Sequence, residues 1–260
     1  MRRCFFLILS ACALAGATWA EPAPPAVLSP ELEGVPAPLA AALQKLMADD
    51  DHWAYTQTTQ VFDRKGQPEP GPKVERYDPS QPDEAQWTLL QHQGRVPTDR
   101  EVRSWKRKKE KELRRREEKS LGEVLDFARA AVQREEGSTV VYEVPLKASA
   151  SRRFPAEKVV AYFAVNRGRQ ELERFGLRAR ESFRMVGVAK VDKVEIDAQF
   201  ATVDPQFAAQ PRLILASGTG RVLFFRVGAS AEIKWSDFKR VTPYNDRFVV
   251  ELGELKVLDF

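Results

Sequence analysis

The chain has 260 residues, of which 41 are Lys or Arg and 37 are Asp or Glu, giving a formal net charge of +4. This near balance gives no global reason to expect a nucleic-acid partner. The only two cysteines are Cys4 and Cys12, which excludes disulfides, cysteine nucleophiles and thiolate metal sites from the rest of the chain. A chain of this length can build a substantial core without such links.

Residues 1–20 have the three parts of a secretory signal peptide. Arg2 and Arg3 provide a positive start, an apolar run follows to about Leu14, and small residues precede Glu21. The apolar run is shorter than the roughly 20 residues of a permanent membrane helix, which is the alternative interpretation. We therefore predict export to the periplasm through a cleaved signal. Residues 9–12 also resemble a lipobox, so a lipoprotein anchored at Cys12 is a second alternative.

The first elements after the signal are a proline-rich leader and a short helix. Residues 21–38 contain six prolines and indicate an extended segment. Leu39, Leu43 and Leu46 then fall on one stripe, which predicts an amphipathic helix over residues 39–47. From residue 39 to residue 260 we expect one domain.

Three strands are predicted next, at residues 53–62, 73–77 and 87–93, because these runs are rich in aromatic and β-branched residues. Thr98 and Glu101 then form a capping box that opens an almost wholly charged helix, predicted over residues 99–119. A second capping box at residues 120–123 predicts an amphipathic helix that ends near residue 136.

From residue 139 onwards the chain alternates apolar and polar residues in strand after strand. Turns are predicted at residues 166–169 and 217–220, and the clearest strand covers residues 223–235, with an apolar residue at every second position. Such alternation is typical of sheets with one buried face. The fold class predicted is α+β, with a single curved antiparallel sheet, a half-barrel, covered by a few helices and carrying the charged helix as an insertion.

The order of these elements resembles a known group of proteins. It is carried by Trp53 and Tyr55 in the first strand, by Tyr-Asp-Pro-Ser at 77–80, by Trp-Thr-Leu-Leu at 87–90, and by Gly-Arg-Val-Pro-Thr at 94–98. Over about residues 45–240 the chain resembles uncharacterised proteobacterial exported proteins with the fold of the LolA/LolB lipoprotein carriers, to which a domain of RseB is related. The resemblance implies a half-barrel whose apolar concave face holds acyl chains. The charged helix departs from those carriers.

Two non-enzymatic functions follow. The first is a periplasmic binding protein whose sheet holds a hydrophobic ligand, such as an acyl chain, a lipid or a lipid-modified protein. A closed core is the alternative for the same face. The residues expected to line the cavity are Trp53, Tyr55, Trp87, Leu89, Phe163, Phe200, Phe225 and Trp235.

The second function is an envelope interaction or sensor protein that uses the charged helix as a docking surface for a membrane or a protein. The docking residues expected are Lys108, Lys109, Arg114, Arg115 and Arg116. Glutamates are interleaved with these cations and provide i, i+4 pairs, so a solvated, self-paired helix is the alternative.

No catalytic residue, metal ligand or cofactor is predicted. His52 follows three aspartates, for which a polar loop is favoured over a metal site, and His92 ends a strand as a surface residue. The chain contains no nucleophile elbow, no zinc-protease motif and no phosphate-binding glycine loop. A hydrolase is therefore disfavoured.

Overall fold

The computed structural model describes residue 32 and residues 34–49, 52–116, 121–150, 155–185, 189–222 and 225–248. The predicted signal peptide, Cys12 and most of the proline-rich leader lie outside these described residues. None of the described helices has the length and the apolar composition needed to cross a bilayer.

The described part of the chain forms one open antiparallel sheet of 11 strands, with the spatial order β3-β2-β1-β11-β10-β9-β7-β6-β5-β4 and with β8 paired to β9. This architecture confirms the predicted α+β class with a single curved antiparallel sheet. The strands are β1 Trp53–Phe62, β2 Lys73–Tyr77, β3 Trp87–Gln91, β4 Ala131–Glu136, β5 Thr139–Pro145, β6 Val159–Asn166, β7 Glu171–Ala179, β8 Phe183–Arg184, β9 Ala189–Ala201, β10 Gln210–Val222 and β11 Phe225–Arg240.

Three α-helices accompany the sheet in the described residues: α1 Ala37–Asp49, α2 Asp99–Arg116 and α3 Leu121–Val124. Helix α1 lies on β6 and β7, with Leu39, Leu43 and Leu46 buried against the sheet as the stripe predicts. At its C-terminus, Asp49 accepts a hydrogen bond from Trp53 Nε1 at 2.7 Å and pairs with Arg240. The end of α1 is therefore fixed to the first and last long strands.

One face of the sheet carries a continuous apolar row, because residues directly opposite each other on neighbouring strands point to the same side. We call this side the inner face. From β11 to β5 the row consists of Ile233, Ile214, Ala198, Phe175, Phe163 and Tyr142. All but Ile233, which is partly buried, belong to the buried core.

The amphipathic helix predicted for residues 121–136 is wrong in its second half. After the single turn of α3 and a short 3-10 turn at Phe127–Arg129, residues 131–136 form strand β4. This strand is exposed along its whole length and pairs with β5 through its backbone. The spacing of Leu121, Val124, Leu125 and Val132 fits a helix, but the ladder with β5 determines the structure.

The turn predicted at residues 217–220 is also wrong. These residues lie inside β10, which continues to Val222 and pairs with β11 from Val222 opposite Phe225. One of the two glycines, Gly220, allows a close approach of the backbone instead. A Cβ atom on Gly220 would lie 2.4 Å from the carbonyl oxygen of Lys190, at a register shift between β9 and β10.

Candidate functional site

A buried carboxylate lies on the inner face beneath the charged helix. Glu75, in β2, has a side chain with no exposed surface. Its Oε1 accepts a hydrogen bond from Trp105 Nε1 at 2.6 Å and lies 2.9 Å from Lys109 Nζ, both residues being in α2. Its Oε2 lies 2.9 Å from Lys73 Nζ. Two turns of α2 are thereby joined to β2.

The two lysines decide the charge state of this carboxylate. Burial alone would raise the pKa of Glu75, and this is the largest single influence on it. The combined attraction and hydrogen bonding of Lys109 and Lys73 outweigh burial and lower the pKa of Glu75 to about 2. Glu75 is therefore ionised at neutral pH, and the helix is attached to the sheet by a buried ionic cluster.

Aromatic rings surround this cluster. The ammonium of Lys109 lies 3.9 Å from the centroid of the Trp87 ring, within cation–π range. Trp87 packs against Tyr77 at 4.9 Å between ring centroids, and Tyr77 packs against Tyr55 at 5.1 Å. We call the residues Tyr55, Tyr77, Trp87 and Trp105 the aromatic wall. The pair of Glu75 and Lys109 is thus bordered by aromatic rings, whereas Lys73 reaches the solvent.

Three polar atoms on this part of the inner face have no hydrogen-bond partner among the described residues: Gln57 Oε1, Trp87 Nε1 and Trp235 Nε1. Their side chains are at least nine-tenths buried. Gln57 lies directly opposite Trp235 on one side and Glu75 on the other. Buried polar atoms are normally paired, and each unpaired one costs about 1–3 kcal/mol. This region therefore offers two donors and one acceptor to a molecule with matching groups.

The structure brings most of the predicted cavity residues to the buried side of the sheet. Phe200 is partly buried against the core, and the remainder of this group is buried: Trp53, Tyr55, Trp87, Leu89, Phe163 and Trp235. Phe225 is the exception, with 73% of its surface exposed. The prediction that Phe225 lines the interior is wrong, because Phe225 is the first residue of β11 and the strand is exposed over its first three residues.

The predicted docking residues are divided by the structure. Lys108 and Arg114 are exposed on α2, whereas Lys109 is 6% exposed and pairs with Glu75. The prediction that Lys109 belongs to a solvent-facing surface is therefore wrong. The side chains of Arg115 and Arg116 lie outside the described residues. Glu75 was not predicted as part of any site, because the two partners that bury it, Trp105 and Lys109, come from a helix distant in sequence.

A second feature is a cleft of about 290 Å³ beside the end of α1, lined by His52, Tyr77, Gln86 and Tyr244, among others. His52 Nε2 lies 3.7 Å from Asp246 Oδ2, and within the described part of the chain its buried Nδ1 has no hydrogen-bond partner. The described residues contain no group of three or more His, Cys, Asp or Glu side chains that could hold a metal ion. His92 lies 4.0 Å from Glu101 at the surface.

No protein-family model matches this chain, and no curated protein matches it in sequence. The described residues therefore define the protein by its architecture alone. This architecture is an open antiparallel sheet with a polar region, bordered by the aromatic wall, under a charged helix. The resemblance to the lipoprotein carriers stays a prediction.

Proposed function

We propose that this chain is an exported, periplasmic binding protein that holds a hydrophobic ligand against the inner face of its sheet without chemically changing it. The ligand class is one with an acyl chain and oxygen acceptors close to it, as in a lipid or a lipid-modified protein. The apolar row from Ile233 to Tyr142 would contact the acyl chain of the ligand. The polar region beside the aromatic wall would bind the carbonyl oxygens of the ligand.

The observation that carries this proposal is the set of three buried, unpaired polar atoms. The indole N–H groups of Trp87 and Trp235 can only donate a hydrogen bond. Their partners in a ligand would therefore be acceptor oxygens such as those of an ester or an amide. Gln57 Oε1 calls for a donor, which an amide N–H or a hydroxyl supplies. Hydrogen bonds of this kind fix the orientation of a ligand that is otherwise bound by apolar contact.

The test is native mass spectrometry of the chain purified without detergent, followed by extraction with organic solvent. We expect extra mass that disappears on extraction and that identifies as an acylated molecule. Trp235→Phe and Trp87→Phe keep a ring in place but remove the N–H, so both variants should retain less ligand at comparable folded content, judged by circular dichroism.

Trp53→Phe is the matched control. Trp53 is also buried, but its Nε1 already donates to Asp49. Removal of this N–H should lower stability and leave ligand retention unchanged. A wild-type protein that carries no extra mass after incubation with lipid extract, or equal retention in all three variants, would contradict the proposal.

The second candidate is an interaction or sensor protein that docks through α2. It is favoured by the exposed cations of this helix, among them Arg103, Lys106 and Lys108. Reversal of these three charges should remove a specific envelope protein from crosslinked complexes. Reversal of three exposed cations elsewhere, with the same change in net charge, provides the control.

A further inference from the structure

The free end of the β10–β11 hairpin is apolar on one face. Val222, Phe225 and Val227 are 39%, 73% and 46% exposed, and all three lie on the inner face, in continuation of the side that carries Ile233 and Trp235. Large apolar side chains this exposed, grouped at one end of a sheet, are typical of an interaction surface. We call these three residues the apolar tip.

The opposite face of the same end carries a row of cations. Arg184, Lys190, Arg221 and Arg226 lie directly opposite one another on the four neighbouring strands β8, β9, β10 and β11. Paired positions share a face, so the four basic side chains form one line across the sheet. We call them the basic row.

The basic row does not serve the stability of the sheet. Like charges directly opposite each other on neighbouring strands destabilise a sheet. Asp192 offsets part of this repulsion, since it lies 3.4 Å from Lys190 and 3.5 Å from Arg221. Among the described residues no acid pairs with Arg184 or Arg226. An anionic partner would supply the missing charge.

The geometry points to an anionic phospholipid bilayer as the partner of this hairpin end. The apolar tip enters the boundary between head groups and acyl chains, while the basic row contacts the head groups beside it. The choice of a membrane over a protein follows from charge complementarity combined with apolar side chains that project from one edge. This docking surface is separate from the buried region proposed to hold a ligand, and either can fail without the other.

Flotation with vesicles tests the inference. The chain is expressed with its own N-terminus, and the intact mass of the recovered form is shown to be the same for every variant. We expect the wild type to float with vesicles of phosphatidylglycerol and phosphatidylcholine, and to float much less with phosphatidylcholine alone. Phe225→Ser should lower partitioning about tenfold or more. Because Phe225 is exposed, this variant should melt like the wild type.

The contribution of the basic row is tested with the double variant Arg184→Gln with Arg226→Gln. Partitioning to the anionic vesicles should fall about fivefold for each removed cation. The matched control is Lys239→Gln with Arg247→Gln, which removes two exposed cations near the other end of β11 and should leave flotation close to the wild-type level. An equal loss in the control pair would overturn the inference, because net charge rather than the basic row would then govern binding.

Other occupants of the apolar tip give distinct outcomes. If a second copy of the chain covers it, sedimentation velocity will show a dimer that Phe225→Ser converts to a monomer. If another segment of the same chain covers it, the wild type will not float with anionic vesicles. Either result, or equal flotation of wild type and Phe225→Ser, would overturn membrane docking.

Discussion

The ammonium of Lys109 lies 2.9 Å from Oε1 of Glu75, and neither side chain has more than 6% of its surface exposed. A buried ion pair of this kind contributes little net stability relative to an apolar pair, but loss of one partner is costly. The helix that looks most solvated in the sequence is therefore attached to the sheet by its most buried charge.

Replacement of Glu75 by Gln should lower the free energy of unfolding by about 3–5 kcal/mol. The buried ammonium of Lys109 would lose its closest counter-charge, at 2.9 Å, and would keep the longer contact of 3.9 Å to Glu112. Urea denaturation followed by circular dichroism measures the change. Glu69→Gln, at an exposed glutamate, is the control and should alter the free energy by less than about 0.5 kcal/mol. The double variant Glu75→Leu with Lys109→Met should recover most of the loss. If the double variant stays as unstable as Glu75→Gln, the unpaired charge of Lys109 is not the cause of the loss.

Low pH should lower the free energy of unfolding because it protonates the carboxylate of Glu75. The pKa of Glu75 is about 2 in the folded protein against 4.5 ordinarily, so the folded state binds this proton less readily than the unfolded state. Its contribution is complete above about pH 4.5 and is lost as the pH falls towards 2, amounting to about 3 kcal/mol. We expect the difference in unfolding free energy between wild type and Glu75→Gln to shrink over this range. A difference that is constant from pH 6 to pH 2 would contradict it.

The N-terminus of α2 should depend on its capping box. Thr98 N–H and Oγ1 each donate to Glu101 Oε2 at 2.8 Å, and the N–H of Glu101 donates back to Thr98 Oγ1 at 3.4 Å. Thr98→Ala should destabilise the protein by about 1 kcal/mol in thermal melts. Ser104→Ala, inside the same helix, should be neutral or slightly stabilising, because Ala has the higher helix propensity. An equal effect at both positions would argue against the cap.

The register shift between β9 and β10 should not accept a side chain at Gly220. A Cβ there would come within 2.4 Å of a backbone oxygen that cannot move independently of its strand. Gly220→Ala should therefore lower the melting temperature by several degrees, in keeping with a loss of about 1–3 kcal/mol. Gly218→Ala is the matched control, since its Cβ would meet nothing closer than 3.9 Å. Equal melting temperatures for the two variants would contradict the close approach.

Much of the sheet could be predicted from the sequence, because alternation directly reports a half-buried strand. The runs at 53–62 and 73–77 coincide with β1 and β2, and the predicted helix at 39–47 lies within α1. The start of α2 was set by local chemistry, the Thr98 capping box. These features depend on neighbours within a few residues, which a single sequence contains.

The errors have a different origin. Strand β4 and the continuation of β10 through residues 217–220 are decided by pairing with a neighbouring strand, which overrides local spacing and glycine content. Phe225 continues the apolar alternation of β11, so the strand pattern alone does not distinguish its exposed position from a buried one. The Glu75 site needs Trp105 and Lys109, which are four residues apart on one helix face. Their spacing predicts that both residues lie on one side of the helix. No pattern near them in the sequence identifies Glu75 as the carboxylate that they contact.

The pairing of β1 with β11 also fixes the order in which the molecule can be completed. Arg240 meets Asp49 across 191 residues of chain, and β1 has no neighbour on that side until β11 is available. A ribosome delivers the N-terminal strands first, so β1 to β3 must wait with an open edge while the remainder is synthesised. Folding of the whole sheet is consequently a late, slow event with a high contact order. The strand edge of β1 stays unpaired until β11 has been made, and the chain is most vulnerable to edge-to-edge aggregation during this interval.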